Sequence, residues 1–202
     1  RDLHSFPTRR SSDLEMGRFA TVAKIEKELG EMLEEQEDYA GAIQHMQQAA
    51  DYFDGENQKS SANQCIAKVA HLCATAERYD EAIESFERAA RGCVDDRLLK
   101  WGSKEYFFKA SLCRLAKMRD VEDDIGFVKE KIEEYRDEDV HFGGSYESKC
   151  LEGVVAAMEQ KDVSAFKKAL RDYDNIQKLD NWKTAIFLKI LGLLENQQED
   201  LT

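Results

Sequence analysis

Proline is almost missing from this chain of 202 residues: there is one, Pro7, and none after it. A chain free of proline can run long helices, because proline is the strongest breaker of helix interiors. Uninterrupted apolar runs of membrane-spanning length are also lacking, so no transmembrane helix is expected. No charged segment leading into an apolar one opens the chain, so no secretory signal is expected. Basic residues are in short supply, with 29 Lys and Arg against 41 Asp and Glu, for a net charge of -12. Such a balance disfavours nucleic acid and anionic lipid as partners, since both need clustered cations. It leaves room for a partner with a basic surface, or for a local basic patch on an acidic scaffold.

The residues that usually carry chemistry are few and scattered. His45, His71 and His141 lie far apart and form no HExxH or triad spacing. His71 and Cys73 are two residues apart, which on a helix points them to different faces. The five cysteines, Cys65, Cys73, Cys93, Cys113 and Cys150, are odd in number and contain no CxxC pair. They read as reduced, buried, small apolar residues rather than as disulfides or metal ligands. Gly143-Gly144 lacks the strand and the GxGxxG spacing of a dinucleotide site, and no P-loop is present. No cofactor, no metal site and no enzymatic activity are expected.

What is present is a repeat. Tyr39, Ala42, Ile43, Ala49 and Ala50 recur forty residues later as Tyr79, Ala82, Ile83, Ala89 and Ala90. The preceding segments agree, pairing Leu29 with Val69, Met32 with Leu72 and Glu37 with Glu77. Within each copy the apolar residues fall at steps of three and four, the period of a helix. A fixed period of this size marks stacked helical hairpins. Small alanines let two helices approach, and a nearby aromatic fills the space beside them. Two fainter hairpins are read at 103–118 with 121–135, and at 145–160 with 163–176. A last helix at 179–195 would cap the array. The fold class is therefore all-α: a tetratricopeptide-like right-handed superhelix of antiparallel hairpins with a C-terminal capping helix. In Tyr106-Phe107-Phe108, two rings should enter the core and the third should touch the next repeat.

Three segments are expected. Residues 1–14 differ in composition from the rest, and His4–Leu14, HSFPTRRSSDL, resembles a translated sequencing adapter. They are read as a non-native or disordered leader. Residues 15–196 form the hairpin domain, and 197–202 a flexible acidic tail.

A set of landmarks runs in order along the chain: Met16-Gly-Arg-Phe19, Ala49-Ala-Asp-Tyr52-Phe53, Ser60-Ser-Ala-Asn63, Leu98-Leu-Lys100, Lys104-Glu-Tyr-Phe-Phe-Lys-Ala110, Leu179-Asp-Asn-Trp182 and Glu199-Asp-Leu-Thr202. With these the chain resembles the soluble NSF attachment proteins, nearer their alpha type. The resemblance implies a C-terminal two-thirds fragment of a longer chain. It implies a cytoplasmic adaptor, peripheral to membranes, that binds the SNARE four-helix bundle and recruits and stimulates the hexameric ATPase NSF in vesicle-mediated transport. SNARE-facing basic positions fall on Arg18, Lys24, Lys68 and Lys104, while two more fall on the non-basic Gln64 and Tyr146. ATPase contacts fall on Glu159, Glu199, Asp200 and the penultimate Leu201. Little or no direct membrane contact is implied for this stretch. The other reading is a general tetratricopeptide-like scaffold that clamps a peptide of a different client.

Overall fold

The computed structural model describes the backbone of residues 8–94 and 100–199, and side chains within 18–94 and 101–196. All regular structure among the described residues is helical. In order it comprises α1 (Thr8–Glu35), α2 (Tyr39–Gly55), α3 (Lys59–Thr75), α4 (Tyr79–Val94), a 3-10 turn (Lys100–Gly102), α5 (Ser103–Ala116), α6 (Val121–Glu138), α7 (Val140–Gly143), α8 (Tyr146–Glu159), α9 (Val163–Ile176) and α10 (Asn181–Glu199). The all-α, tetratricopeptide-like reading of the sequence is met. The backbone of residues 8–14 belongs to α1, and that of residues 197–199 to α10. Two compact units divide the chain between Leu72 and Cys73, inside α3.

The repeat is finer than forty residues. Glu37, Asn57 and Glu77, spaced by twenty, each hold φ near 60°, and Lys161 joins them with φ 54°. Each closes its helix in the same way. The N–H of Glu37 donates to the carbonyl of Glu34 at 2.9 Å, and that of Asp38 to Leu33 at 2.9 Å. Asn57 and Gln58, Glu77 and Arg78, and Lys161 and Asp162 repeat this pair of bonds. This is the Schellman closure, in which two otherwise orphaned carbonyls are capped by the residues that leave the helix. None of the four left-handed residues is glycine, so each site carries backbone strain.

In the first unit α1 and α2 form a close pair. Gly30 allows it: a Cβ there would meet Met46 Cγ at 2.9 Å. Ala42, Met46, Ala49, Ala50 and Phe53 line the buried side of α2. Asp38 caps α2 by accepting from the N–H of Gly41 at 3.0 Å.

In the second unit α5 is the central helix. Phe107 and Phe108 are wholly buried. Phe107 stacks on Tyr135 at 4.7 Å between ring centres, and Phe108 meets Tyr173 at 5.3 Å. Tyr106 is half-buried and stacks on Phe86 of α4, so the third ring of the triplet turns back to the preceding helix rather than on to the next repeat. The hairpin expected at 103–118 and 121–135 forms as α5 and α6, yet α5 packs more extensively along α4. The small residues Ala82, Ala89 and Ala90 on α4, all fully buried, permit that approach. The expected hairpin of α8 and α9 is tight, with Gly153 set so that a Cβ would lie 2.9 Å from Ala169 Cβ. The Gly143-Gly144 stretch ends the short helix α7. Asp139 begins it, accepting from the N–H of His141 at 2.9 Å while its other oxygen accepts from the buried Ser103 hydroxyl at 2.6 Å.

Candidate partner-binding surfaces

The basic positions divide between the units. Arg18 and Lys24 are exposed on α1. Six residues separate them, about 9 Å along the axis and about 120° around it, so they do not form one cluster. Lys68, half-buried on α3, places Nζ 2.7 Å from Glu34 Oε1 and 2.6 Å from Oε2. Glu34 lies ten residues beyond Lys24 on α1, about 15 Å along the helix. The first unit thus spreads its candidate cations along α1. Gln64, one turn before Lys68, is exposed on α3.

Lys104 belongs to the second unit, at the start of α5. Its Nζ lies 3.4 Å from Oε1 of Glu147, a residue with no solvent exposure. Both Glu147 oxygens lack a hydrogen bond, so the contact is an ion pair without hydrogen-bond geometry. Near it Lys183, 4 % exposed, donates to Glu105 at 2.8 Å and lies 3.5 Å from Asp180. Burial works against the charge of Lys183, but those two carboxylates outweigh it and raise its pKa. Tyr146 is exposed with its ring 5.5 Å from the Lys149 ammonium. Two of the four expected cations, Lys68 and Lys104, already hold carboxylates of their own chain. The sequence carried no direct signal for either pair, since their members lie 34 and 43 residues apart.

The acidic positions are placed unevenly. Glu159 ends α8, exposed, and accepts from Lys129 Nζ at 2.9 and 3.2 Å. Two residues on, Lys161 bonds Glu122 at the start of α6. Asp123 and Asp124 follow Glu122, and Asp120 caps the helix by accepting from the N–H of Glu122 at 2.8 Å. Lys117, just past α5, likewise meets Asp80 at the start of α4, while Lys189, mid-way along α10, meets Glu77 in the turn before α4. Of Glu199 only the backbone is described, and Asp200 and Leu201 lie outside the described residues.

A charge network missed by sequence reading ties α4, α5 and α6 together. The Tyr135 hydroxyl and Arg114 both donate to Glu87, and Arg114 Nε also donates to the Tyr135 oxygen at 2.9 Å. Arg91 grips Glu138 with two bonds of 2.9 and 3.1 Å and reaches Glu87 at 3.3 Å. Burial pushes the Glu87 carboxyl up, but bonds from Tyr135 and Arg114 pull it further down, leaving it below its ordinary value. This network is structural in kind, each donor being matched by an acceptor of the same chain.

All five cysteines are free and buried. Burial pushes the Cys73 thiol up to about 11 and the Cys113 and Cys150 thiols up to about 12. Such thiols stay protonated near neutral pH and are poor nucleophiles. Among the described residues no group of three His, Cys, Asp or Glu side chains could hold a metal ion. No helix among them is long and apolar enough to cross a membrane.

The sequence of residues 11–194 matches the family model described as soluble NSF attachment protein, SNAP. The chain belongs to the soluble NSF attachment protein family. It is 37% identical over 185 residues to the alpha-soluble NSF attachment protein of Dictyostelium discoideum, covering 92% of this chain and 62% of that one. The human alpha-soluble NSF attachment protein is 36% identical over 188 residues, covering 93% of this chain and 62% of its own length. The vesicular-fusion protein SEC17 of Coprinopsis cinerea is 36% identical over 175 residues, 86% of this chain and 59% of that protein. The chain thus spans about 62% of the length of the first two of these relatives.

Proposed function

We propose that this chain is a non-enzymatic adaptor in vesicle-mediated transport, binding the SNARE four-helix bundle and recruiting and stimulating the ATPase NSF. The observation that carries the reading is family membership across 11–194, with relatives named for NSF attachment and for vesicular fusion. Those names favour it over a general peptide-clamping scaffold. The protein would work in the cytoplasm, held at membranes through its partners rather than by lipid contact, and without nucleic acid.

The division of labour follows charge. Arg18 and Lys24 stand exposed on an acidic scaffold, with Lys68 and Lys104 at half-buried positions. Each would meet acidic flanks of a helical bundle, by long-range attraction rather than by a fitted pocket. Lys68 and Lys104 would enter such contacts only by sharing or releasing Glu34 and Glu147. Glu159, with Glu199, Asp200 and the penultimate Leu201, would face the ATPase.

A pull-down with an assembled SNARE bundle tests the reading. Binding should weaken as salt rises and fall on charge reversal at Arg18 and Lys24. Leu201→Ala should keep SNARE binding and lose ATPase stimulation. Binding indifferent to the Arg18 and Lys24 reversals, or equal loss of both activities in Leu201→Ala, would contradict the assigned roles.

A further inference from the structure

A cavity of about 310 Å³ lies between α8 and α9. Its lining is short or turned away. Cys150 and Gly153 of α8 and Ala169 of α9 add little bulk, and the Tyr173 ring leans on Phe108 of α5 at 5.3 Å. Two lining residues are large and apolar, and both stand out from the surface: Tyr146 on α8, 52% exposed, and Ile176 on α9, 58% exposed.

Sites for small molecules run from about 300 to 1,000 Å³ and cover most of their ligand. This cavity is at the bottom of that range, and a molecule confined to it would leave Tyr146 and Ile176 wet. One side chain carried on a larger surface would fill the space while that surface covered the two lips. The charges at the cavity are unspent. Lys149 and Asp172 line it from opposite helices, and both are exposed. Among the described residues neither has an ion pair, the Lys149 ammonium lying 5.5 Å from the Tyr146 ring. Lys68 and Lys104, in contrast, already hold carboxylates. Glu147, the carboxylate beside Lys104, directly follows Tyr146, so the cavity borders a cation placed in the SNARE contact.

We propose that this cavity takes one large apolar side chain from a helix of the SNARE bundle, with Lys149 holding a carboxylate of the same helix. Residues three or four apart share a helix face, so one helix can present both groups. The contact rests on the adaptor reading and adds to it a component that salt does not screen. Tyr146, at a position where a cation was expected, then serves as an apolar lip.

Titration of labelled SNARE bundle with the full chain at about 0.1 M and about 1 M salt tests it, because the higher salt cuts the reach of exposed charges to about 3 Å. Binding should persist at high salt. Cys150→Met, which extends a side chain into the cavity, should weaken it about tenfold at both salts without lowering the melting temperature. Ile176→Gln, at an exposed lip, should weaken it about fivefold at both, and Lys149→Gln at low salt alone. Affinity at high salt that ignores both Cys150→Met and Ile176→Gln overturns the proposal, and the Arg18 and Lys24 reversals then read the adaptor role separately. Binding present at low salt and lost at high salt overturns it too. No binding at either salt overturns this contact and the adaptor reading together. Self-association of the free chain in sedimentation velocity, abolished by Ile176→Gln, would assign the cavity to a second copy and overturn the proposal as well.

Discussion

Lys68 donates from Nζ to Glu34 at 2.7 Å, so a cation in line for a partner is already engaged by a carboxylate of α1. Half-exposed pairs of this kind contribute about 0–1 kcal/mol, little enough to be exchanged. Glu34→Gln should free the lysine and tighten SNARE binding up to about fivefold at low salt, within the same energy range. Lys68→Glu should weaken it. A titration of labelled chain against SNARE bundle in low and high salt reads both, and an effect of Glu34→Gln that grows with salt would count against the electrostatic account.

Lys104 stands differently, because its partner Glu147 is sealed from solvent. Removing one member of a buried pair strands the other charge, at about 3 kcal/mol. Lys104→Met should lower stability by about that amount, and Glu147→Leu added to it should recover most of the loss. Urea melts of the two single variants and the double form the cycle. Additive losses would show that the two side chains do not interact. A drop in SNARE binding by Lys104→Met alone therefore mixes lost contact with lost fold.

Glu87 links acid stability to the α4–α5–α6 network. Its folded pKa lies below the ordinary value of 4.5. A depressed carboxyl stabilises fully above its unfolded pKa, and that stability drains away as pH falls through the folded value. Glu87→Gln should cost about 2 kcal/mol at pH 7. The gap from the unaltered chain should shrink as pH falls below about 4.5. Chemical denaturation at a series of pH values measures it. A gap independent of pH would mean that Glu87 acts by packing alone.

The left-handed turns offer a gain. Glu37 holds φ 60° with a full side chain. Glycine in that conformation escapes the clash, at some cost in chain entropy. Glu37→Gly should raise stability by about 0.5–1 kcal/mol, seen as a higher melting temperature. A lower one would show that the turn relies on the glutamate side chain.

Gly153 should resist change. A valine there drives atoms into Ala169, 2.9 Å from the first added carbon. Gly153→Val should destabilise by about 2 kcal/mol, whereas Gly126→Val, at a helical glycine with open space around it, should be much milder. Equal melting temperatures for the two variants would contradict the close crossing of α8 and α9.

Local pattern made much of this legible. Alanine and aromatic spacing marked α2 and α4, and all eight helix ends in the later hairpins fall within about three residues of the expected positions, close to the usual scatter of helix boundaries. The twenty-residue period was hidden because its marker is a backbone angle borne by Glu, Asn, Glu and Lys in turn, with no common side chain. Charge partners were hidden for a different reason. Lys68 and Glu34, or Lys104 and Glu147, meet only after helices pack, and a lysine looks the same in sequence whether it faces water or a buried carboxylate.

The left-handed turns at Glu37 and Asn57 have a bearing on how such a chain can lengthen or shorten. One helix with its turn spans twenty residues, and each turn sends the backbone back the way it came. Loss of a single twenty-residue block would invert the direction of everything downstream and set buried faces outward. Loss or gain of forty preserves both direction and face. Duplications and splice junctions compatible with this architecture should therefore arrive in pairs of helices, with their boundaries near the turns.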